Sequence, residues 1–280
     1  MAFFSKITQS KPLLLIGAGN MGGALLKGWL AAGLGEDAVI IIDPVGAAAI
    51  HQNLNLKAVK VFEDLSQMEE IPAPAVVVFA VKPQFMTDVF ERGDHIPVAN
   101  TLLLSIAAGT RISLFEKRFG EDTAIIRAMP NTPAAIAKGI TALIGNAAAG
   151  EADLNLAEDL MGCVGRVLRV SSEDDLDTVT ALSGSGPAYF FYMVEAMAAA
   201  GVDAGLAPDV AMTLARETFV GAARLLETAD LEAAELRRRV TSPGGTTEAA
   251  LKVLMSGDGL MKLMSQAILK AKTRGRELSS

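Results

Sequence analysis

Cysteine and histidine, the side chains most used for metal binding and nucleophilic catalysis, are nearly missing from this sequence. Its 280 residues include one cysteine and two histidines, which excludes an intrachain disulfide and any cysteine-rich metal site. Cys163 stands in the apolar run LMGCV, where a buried, unreactive thiol is the simplest interpretation. His51 and His95 have no evident catalytic partner, so we predict neither a metal site nor a nucleophile activated by a base.

Positive charge and long apolar runs are also scarce. The formal net charge is -7, and the one basic cluster is a run of three arginines at 237–239. An acidic chain of this kind is a poor candidate for nucleic-acid binding. No apolar run approaches the roughly 20 residues of a membrane span, and the N-terminal residues lack a signal-peptide pattern. The sequence therefore predicts a cytoplasmic protein that binds neither nucleic acid nor membranes.

The first 170 residues alternate apolar strands with helical segments. Five runs rich in Val, Ile and Leu have the length of buried strands: residues 12–16, 38–42, 75–81, 101–106 and 124–129. Continuous apolar strands separated by helices are typical of a parallel sheet that is covered on both faces. We therefore expect residues 1–170 to form an α/β dinucleotide-binding domain of the Rossmann type, with a mostly parallel sheet.

From residue 171 onward, nearly every segment has a helical pattern. The segment 188–200 is apolar on most sides, so other helices must enclose it. A domain of about a hundred residues cannot easily bury such a helix alone, which favours a partner subunit. We expect residues 171–280 to form an all-α domain for dimerisation and substrate binding, and the protein to be a homo-oligomer.

A glycine-rich loop, GAGNMG at residues 17–22, joins the first predicted strand to a helix. Glycines also serve ordinary turns, but the placement between a strand and a helix favours dinucleotide binding. Gly17 would allow the tight turn, Gly19 the close approach of the pyrophosphate, and Gly22 the packing of helix against strand. The free N–H groups at the start of the helix, around Asn20 and Met21, would then face the phosphates.

Residues at the carboxyl ends of the other strands are candidates for further cofactor contacts, because ligands of such sheets bind at that edge. Asp43 follows the second strand, where a carboxylate accepts hydrogen bonds from the ribose hydroxyls and repels a 2′-phosphate. The alternative for Asp43 is a strand cap before Pro44. The next two strands end in segments that are interpreted either as cofactor contacts or as plain strand ends, and the candidates there are Ala80, Val81, Lys82, Pro83 and Ala108.

A second glycine-rich segment, TSPGGTTE at residues 241–248, precedes a helix near the C-terminus. Adjacent glycines and a helix N-terminus can direct several N–H groups at an anion such as a carboxylate. A helix cap with a flexible approach explains the same residues equally well. Two further loops, at 129–133 and 182–189, are interpreted first as a rigid turn and as close helix packing.

Together these segments closely resemble the pyrroline-5-carboxylate reductase family, which catalyses the last step of proline synthesis. The resemblance rests on five blocks in this order: GAGNMG (17–22), AVKPQ (80–84), RAMPNTP (127–133), LSGSGPAY (182–189) and SPGGTT (242–247). It extends from residue 12 to about residue 278. The last two blocks are specific to the family, whereas the glycine loop is shared by many dinucleotide-binding proteins.

The resemblance implies reduction of L-1-pyrroline-5-carboxylate to L-proline by hydride transfer from NADPH or NADH. It implies a helical domain that interlocks with its twin, an active site built partly at that dimer interface, and often rings of dimers. Ser242 and the backbone of Gly245 and Thr246 would hold the substrate carboxylate, and Thr247, the catalytic residue, would bond the ring nitrogen. The residues implied to line the cofactor cleft are Val81, Lys82 and Ala108.

Asp43 departs from the family, whose members often carry serine or threonine there and often prefer NADPH, so it favours NADH here. Two rival functions are a reductase of another cyclic imine or of a β-hydroxyacid, and a dinucleotide sensor without catalysis. The β-hydroxyacid enzymes generally need a lysine on the helix that corresponds to 188–200, which has none. A sensor has no use for a carboxylate-binding nest at 242–247.

Overall fold

The computed structural model describes residues 4–67 and 72–278, without the side chains of His95 and Leu278. Its chain forms two compact units. The first extends to Gly184 and takes in the chain again from Lys272, and the second consists of Ser185–Ala271.

In the part of the chain that the structure describes, an eight-stranded sheet forms the centre of the first unit. Its strands are β1 (Leu13–Ile16), β2 (Val39–Ile42), β3 (Lys60–Phe62), β4 (Val76–Phe79), β5 (Leu102–Ser105), β6 (Ile125–Met129), β7 (Gly139–Gly145) and β8 (Gly165–Arg169). The spatial order is β3-β2-β1-β4-β5-β6-β7-β8, and neighbouring strands are parallel except for β6 and β7. This confirms the predicted α/β class with a mostly parallel sheet.

Helices follow most strands of the first unit and make up the second unit. Those of the first unit are α1 (Asn20–Ala31), α2 (Ala47–Leu54), α3 (Met86–Glu91), α4 (Ile112–Phe119), α5 (Glu151–Gly162) and α6 (Glu173–Val179). Those that follow are α7 (Gly186–Asp203), α8 (Pro208–Thr228), α9 (Ala233–Arg239), α10 (Thr246–Leu254) and α11 (Leu260–Leu278), whose last residues belong to the first unit. The predicted helical character after residue 171 is confirmed.

Burial on both faces of the sheet explains why its central strands are apolar without interruption. On β1, Leu13 belongs to a core cluster with Trp29 of α1, and Leu14 belongs to a second cluster with Phe115 of α4. All four of these side chains are at most 1% exposed. Because β1 to β6 run parallel, their carboxyl ends meet at one edge, where the candidate residues of the first unit lie.

Three strands of the described sheet were not predicted from the sequence. β3 has only three residues and begins with the exposed Lys60. β7 begins and ends with glycine, which obscures its strand pattern, and β8 is an edge strand with two exposed arginines, Arg166 and Arg169. Short, edge and glycine-bounded strands lack the continuous apolar signal that identifies the central ones.

The two units divide after Gly184, one helix later than the predicted limit near residue 170. Helix α6 belongs to the first unit because its first residue, Glu173, is bonded there: its Oε1 accepts from Nη1 of Arg127 and from the backbone N of Ile112, each at 2.8 Å. Arg127 is 4% exposed, and a buried charge of this kind requires such a partner. The helical pattern of the sequence therefore begins at residue 171, before the two units divide after Gly184.

The second unit is helical and carries a large apolar surface. Helices α7 and α8 approach closely: a Cβ added to Gly201 would lie 3.2 Å from the Cβ of Ala211. On α7, the side chains of Phe190, Phe191 and Tyr192 are 56, 65 and 71% exposed. Contiguous exposed aromatic residues are typical of an interaction surface.

Candidate functional site

The glycine loop connects β1 to α1 at the carboxyl edge of the sheet. Gly19 precedes the helix, and Gly17 N donates to the carbonyl of Ile42 on β2 at 2.8 Å. A Cβ added to Gly22 would stand 2.1 Å from the carbonyl oxygen of Gly17, so this helix can approach the loop only with glycine there. By contrast, a Cβ added to Gly19 would meet no described atom within 4 Å.

The space above Gly19 fits the pyrophosphate of a dinucleotide. Residues Asn20 and Met21 occupy the first two positions of α1, where backbone N–H groups have no acceptor within the helix. The first turn contains no acidic residue, so the positive end of the helix dipole is not neutralised there. Open space, free donors and a positive dipole end are the features with which a helix N-terminus holds phosphate groups.

Both carboxylate oxygens of Asp43 accept hydrogen bonds from backbone N–H groups. Its Oδ2 accepts from the backbone N of Ala18 at 2.8 Å, and its Oδ1 accepts from the backbone N of Val45 at 3.0 Å. The residue is only 7% exposed. Asp43 therefore ties the end of β2 to the glycine loop, while its contact with a cofactor ribose stays a prediction.

The end of β4 lies directly against the glycine loop. Ala80 N donates to the carbonyl of Ile16 at 2.8 Å, and a Cβ added to Gly17 would lie 2.9 Å from Cγ1 of Val81. Lys82 and Pro83 follow and are exposed, and half-buried Ala108 lies in the turn after β5, the strand next to β4. The structure thus brings Ala80 and Val81 to the glycine loop and leaves the other three candidates along the same edge.

The second predicted site is the segment before α10 in the second unit. Gly245 precedes the helix, and its N–H donates to the carbonyl of Ser242 at 3.0 Å. The Ser242 and Thr246 side chains are exposed, whereas Thr247 is half-buried. The backbone N–H groups of Thr246 and Thr247 stand at the first two helical positions, so they are available to a ligand anion.

Glu248 completes this turn in a way that the sequence prediction missed. Its Oε2 accepts from the backbone N of Gly244 at 2.6 Å, and its Oε1 lies 3.6 Å from Nζ of Lys252. Gly244 has φ +71, a conformation that favours glycine. A glutamate at this spacing is a known capping signal, but in a capping box it accepts from the residue that precedes the helix, here Gly245. The spacing therefore indicates that Glu248 caps the helix, and not that its partner is Gly244.

The loops at 129–133 and 182–189 were interpreted as structural. The first loop lies in the first unit, and so does the second as far as Gly184. Asn131 Oδ1 accepts from the backbone N of Ile140 at 2.9 Å, and its Nδ2 donates to the carbonyl of Ser183 at 3.2 Å. Ser183 belongs to a short π-helical turn, Thr180–Gly184, which ends where the first unit ends. Asn131 therefore fixes the segment that leads into α7.

The thiol of Cys163 is an unsuitable nucleophile. It is half-buried rather than fully buried as expected, and its Sγ donates to the carbonyl of Asp159 at 3.2 Å. Burial raises the pKa of this thiol, and the nearby Asp159 raises it further. Over residues 4–67 and 72–278, no three His, Cys, Asp or Glu side chains form a possible metal site, and no helix is long and apolar enough to cross a membrane.

Two family models match the two halves of the chain. Residues 13–109 match the family described as NADP oxidoreductase coenzyme F420-dependent. Residues 173–278 match the family described as pyrroline-5-carboxylate reductase dimerisation. The first match contains the glycine loop and the ends of β1, β2, β4 and β5, and the second contains the segment before α10.

Curated relatives are similar over nearly the whole chain. Pyrroline-5-carboxylate reductase of Pseudomonas aeruginosa is 39% identical over 95% of this chain and 96% of its own, and that of Pisum sativum is 36% identical over 98% of each. A solved structure of the enzyme from Coxiella burnetii has a TM-score of 0.86 at 37% identity and covers 97% of this chain and 99% of its own. The Plasmodium falciparum structure, with NADP bound, has a TM-score of 0.79 at 25% identity over 96% and 98%.

Proposed function

Because this chain belongs to the pyrroline-5-carboxylate reductase family, we propose that it reduces L-1-pyrroline-5-carboxylate to L-proline with NADPH or NADH, as the last step of proline synthesis. The observation that carries this proposal is the similarity to named reductases over 95% of the chain, which includes both the glycine loop and the SPGGTT segment. A dinucleotide sensor would need only the first of these.

The cofactor is held, in this proposal, at the carboxyl edge of the first unit. Gly17, Gly19 and Gly22 give the pyrophosphate room to reach the free N–H groups around Asn20 and Met21. The nicotinamide supplies the hydride when it is bound. The residues proposed to line its cleft are Ala80, Val81, Lys82, Pro83 and Ala108.

The substrate is held, in this proposal, by the segment before α10. Ser242 and the backbone of Gly245 and Thr246 hold the carboxylate, with the N–H of Thr246 free to donate, and the Thr247 hydroxyl bonds the ring nitrogen. A protonated cyclic imine is already a strong electrophile at C5, so hydride addition there needs no acidic or basic side chain beyond this contact. This explains why histidine and cysteine can be so scarce in the sequence.

The helical part of the chain matches a dimerisation family, and the protein is a homo-oligomer. The exposed aromatic residues of α7, Phe190, Phe191 and Tyr192, support a dimer whose partner covers this surface. We propose further that such dimers associate into rings. Light scattering of the purified protein at several concentrations measures the mass, and a mass of one chain at micromolar concentration would contradict the dimer.

A spectrophotometric assay tests the proposed reaction. The purified protein should oxidise NADH or NADPH only when pyrroline-5-carboxylate is present, and the six-membered analogue should be reduced more slowly. A cofactor sensor would bind both dinucleotides and oxidise neither. Faster reduction of the six-membered ring would indicate the rival reductase.

Glu248→Ala should raise the KM for pyrroline-5-carboxylate about three- to tenfold, because it removes a charged hydrogen bond that holds Gly244 in its turn. The KM for the cofactor should stay the same. Glu248→Gln keeps an acceptor and should recover most of the affinity. Glu235→Ala is the matched control, since Glu235 forms its ion pairs with Arg238 and Arg239 of the same helix, α9. An equal rise in KM for substrate and cofactor would show a general loss of folding instead.

A further inference from the structure

The charge at the end of β2 comes from two carboxylates with different surroundings. Asp43 is 7% exposed, and each of its oxygens already accepts a backbone hydrogen bond, from Ala18 and from Val45. A buried carboxylate whose two oxygens already accept hydrogen bonds has less capacity to accept further hydrogen bonds from a ligand. Its main contribution is to fix the glycine loop against β2.

The second carboxylate belongs to Glu63, in the loop after β3. Its Oε1 lies 2.9 Å, and its Cδ 3.6 Å, from the position that a Cβ on Gly46 would take. Gly46 is the residue that precedes α2, three residues after Asp43, and Glu63 is exposed. The exposed Glu63 carboxylate therefore lies against the turn between β2 and α2.

NADPH carries a 2′-phosphate on its adenosine ribose, and NADH carries a hydroxyl group there. The end of β2 is the place where a protein can distinguish the two cofactors. In sheets of this type the adenosine ribose is recognised at the end of β2. The N-terminus of the following helix attracts an anion, and at α2 the carboxylate of Glu63 already lies there. Neither the turn DPVG (43–46) nor the loop FEDLSQ (62–67) contains a lysine or arginine.

One arginine, Arg92, contacts this loop, and its ion-pair partner there is Asp64, the residue next to Glu63. The ring of His51 on α2 is hydrogen-bonded through Nε2 to the backbone oxygen of Val59 at 2.8 Å. Of the two carboxylates at the turn, Asp43 is buried and Glu63 is exposed.

We propose that Glu63, rather than Asp43 alone, sets the preference of this protein for NADH over NADPH. The Glu63 carboxylate accepts from the ribose hydroxyls and repels a 2′-phosphate, while Asp43 positions the glycine loop for either cofactor. The proposal rests on the dinucleotide site of the proposed function, and it is independent of which imine is reduced.

Binding constants for NADH and NADPH test the proposal without turnover. Cofactor fluorescence or calorimetry should give a lower Kd for NADH than for NADPH in the parent protein. Glu63→Gln should lower the Kd for NADPH about tenfold and change that for NADH less than threefold, because it removes one charge near the phosphate. Asp43→Asn should raise the Kd for NADH and the Kd for NADPH by similar factors. Glu121 is exposed in the turn before β6, at the amino ends of the parallel strands. Glu121→Gln changes the net charge by the same amount and should leave both Kd values unchanged.

Salt provides a second readout. Raising the ionic strength screens the repulsion between Glu63 and the 2′-phosphate, so the NADPH/NADH ratio of Kd values should fall in the parent and change less in Glu63→Gln. A ratio that Glu63→Gln leaves unchanged, or a parent protein that prefers NADPH, would overturn the proposal. Failure of the parent to bind either dinucleotide would instead contradict the proposed function itself.

Discussion

Gly19→Ala should leave the protein as stable as the parent and weaken the binding of NADH and NADPH at least tenfold, a loss of about 1.4 kcal/mol or more. Gly22→Ala, three residues further along, should weaken binding and lower the melting temperature as well. The two variants add the same methyl group to the same loop. They differ only in what the methyl group meets.

The reason is the space around each glycine. Gly19 has φ -64 and ψ -163, which alanine also adopts, and its added methyl would meet nothing within 4 Å. That methyl enters only the volume that the pyrophosphate needs. The methyl of Gly22→Ala would stand 2.1 Å from the Gly17 oxygen, so α1 must move away from the loop. Forced overpacking of this kind costs about 1–3 kcal/mol.

Thermal unfolding without cofactor separates the two effects from one another. Gly22→Ala should lower the melting temperature by at least about 2 °C, since 1 kcal/mol corresponds to roughly 2–4 °C in proteins of this size. Gly19→Ala should unfold at the temperature of the parent, and added NADH should protect the parent far more than this variant. Normal NADH affinity in Gly19→Ala would place the pyrophosphate elsewhere.

The fold was predictable where burial on both faces leaves a continuous apolar strand. Strands β1, β2, β4, β5 and β6 meet this condition, and the rule that ligands bind at their carboxyl ends located the first candidate site. The edge strand β8 and the glycine-bounded β7 do not meet it.

The bonds of individual side chains were less accessible to sequence reasoning. The Asp43 carboxylate reaches Ala18, a residue 25 positions away, and Glu63 reaches Gly46 from a different strand end. The first pair depends on β1 and β2 lying side by side, and the second depends on β2 and β3. Local spacing indicated a carboxylate near the ribose, but tertiary contacts decide which carboxylate is free to act there.

Thr247→Ala should lower kcat about tenfold to a few hundredfold, the range expected for loss of one positioned hydrogen bond to the reacting nitrogen. Thr247 stands at the second position of α10 and is half-buried, so its hydroxyl is held by the helix rather than by a loop. The Kd for NADH should match that of the parent, because the residues proposed to bind the cofactor belong to the first unit.

Two neighbouring changes make this result specific to the hydroxyl group. Thr247→Ser keeps the hydroxyl and should retain most of the activity. Thr246→Ala removes an exposed hydroxyl but keeps the backbone N–H that is proposed to bind the carboxylate, so its kcat should stay within about threefold of the parent. Equal losses in Thr246→Ala and Thr247→Ala would indicate damage to the N-terminus of α10. If instead Thr247→Ala turns over like the parent, the imine nitrogen is bonded by another group, and the protein's contribution to the reaction reduces to holding the carboxylate beside the cofactor.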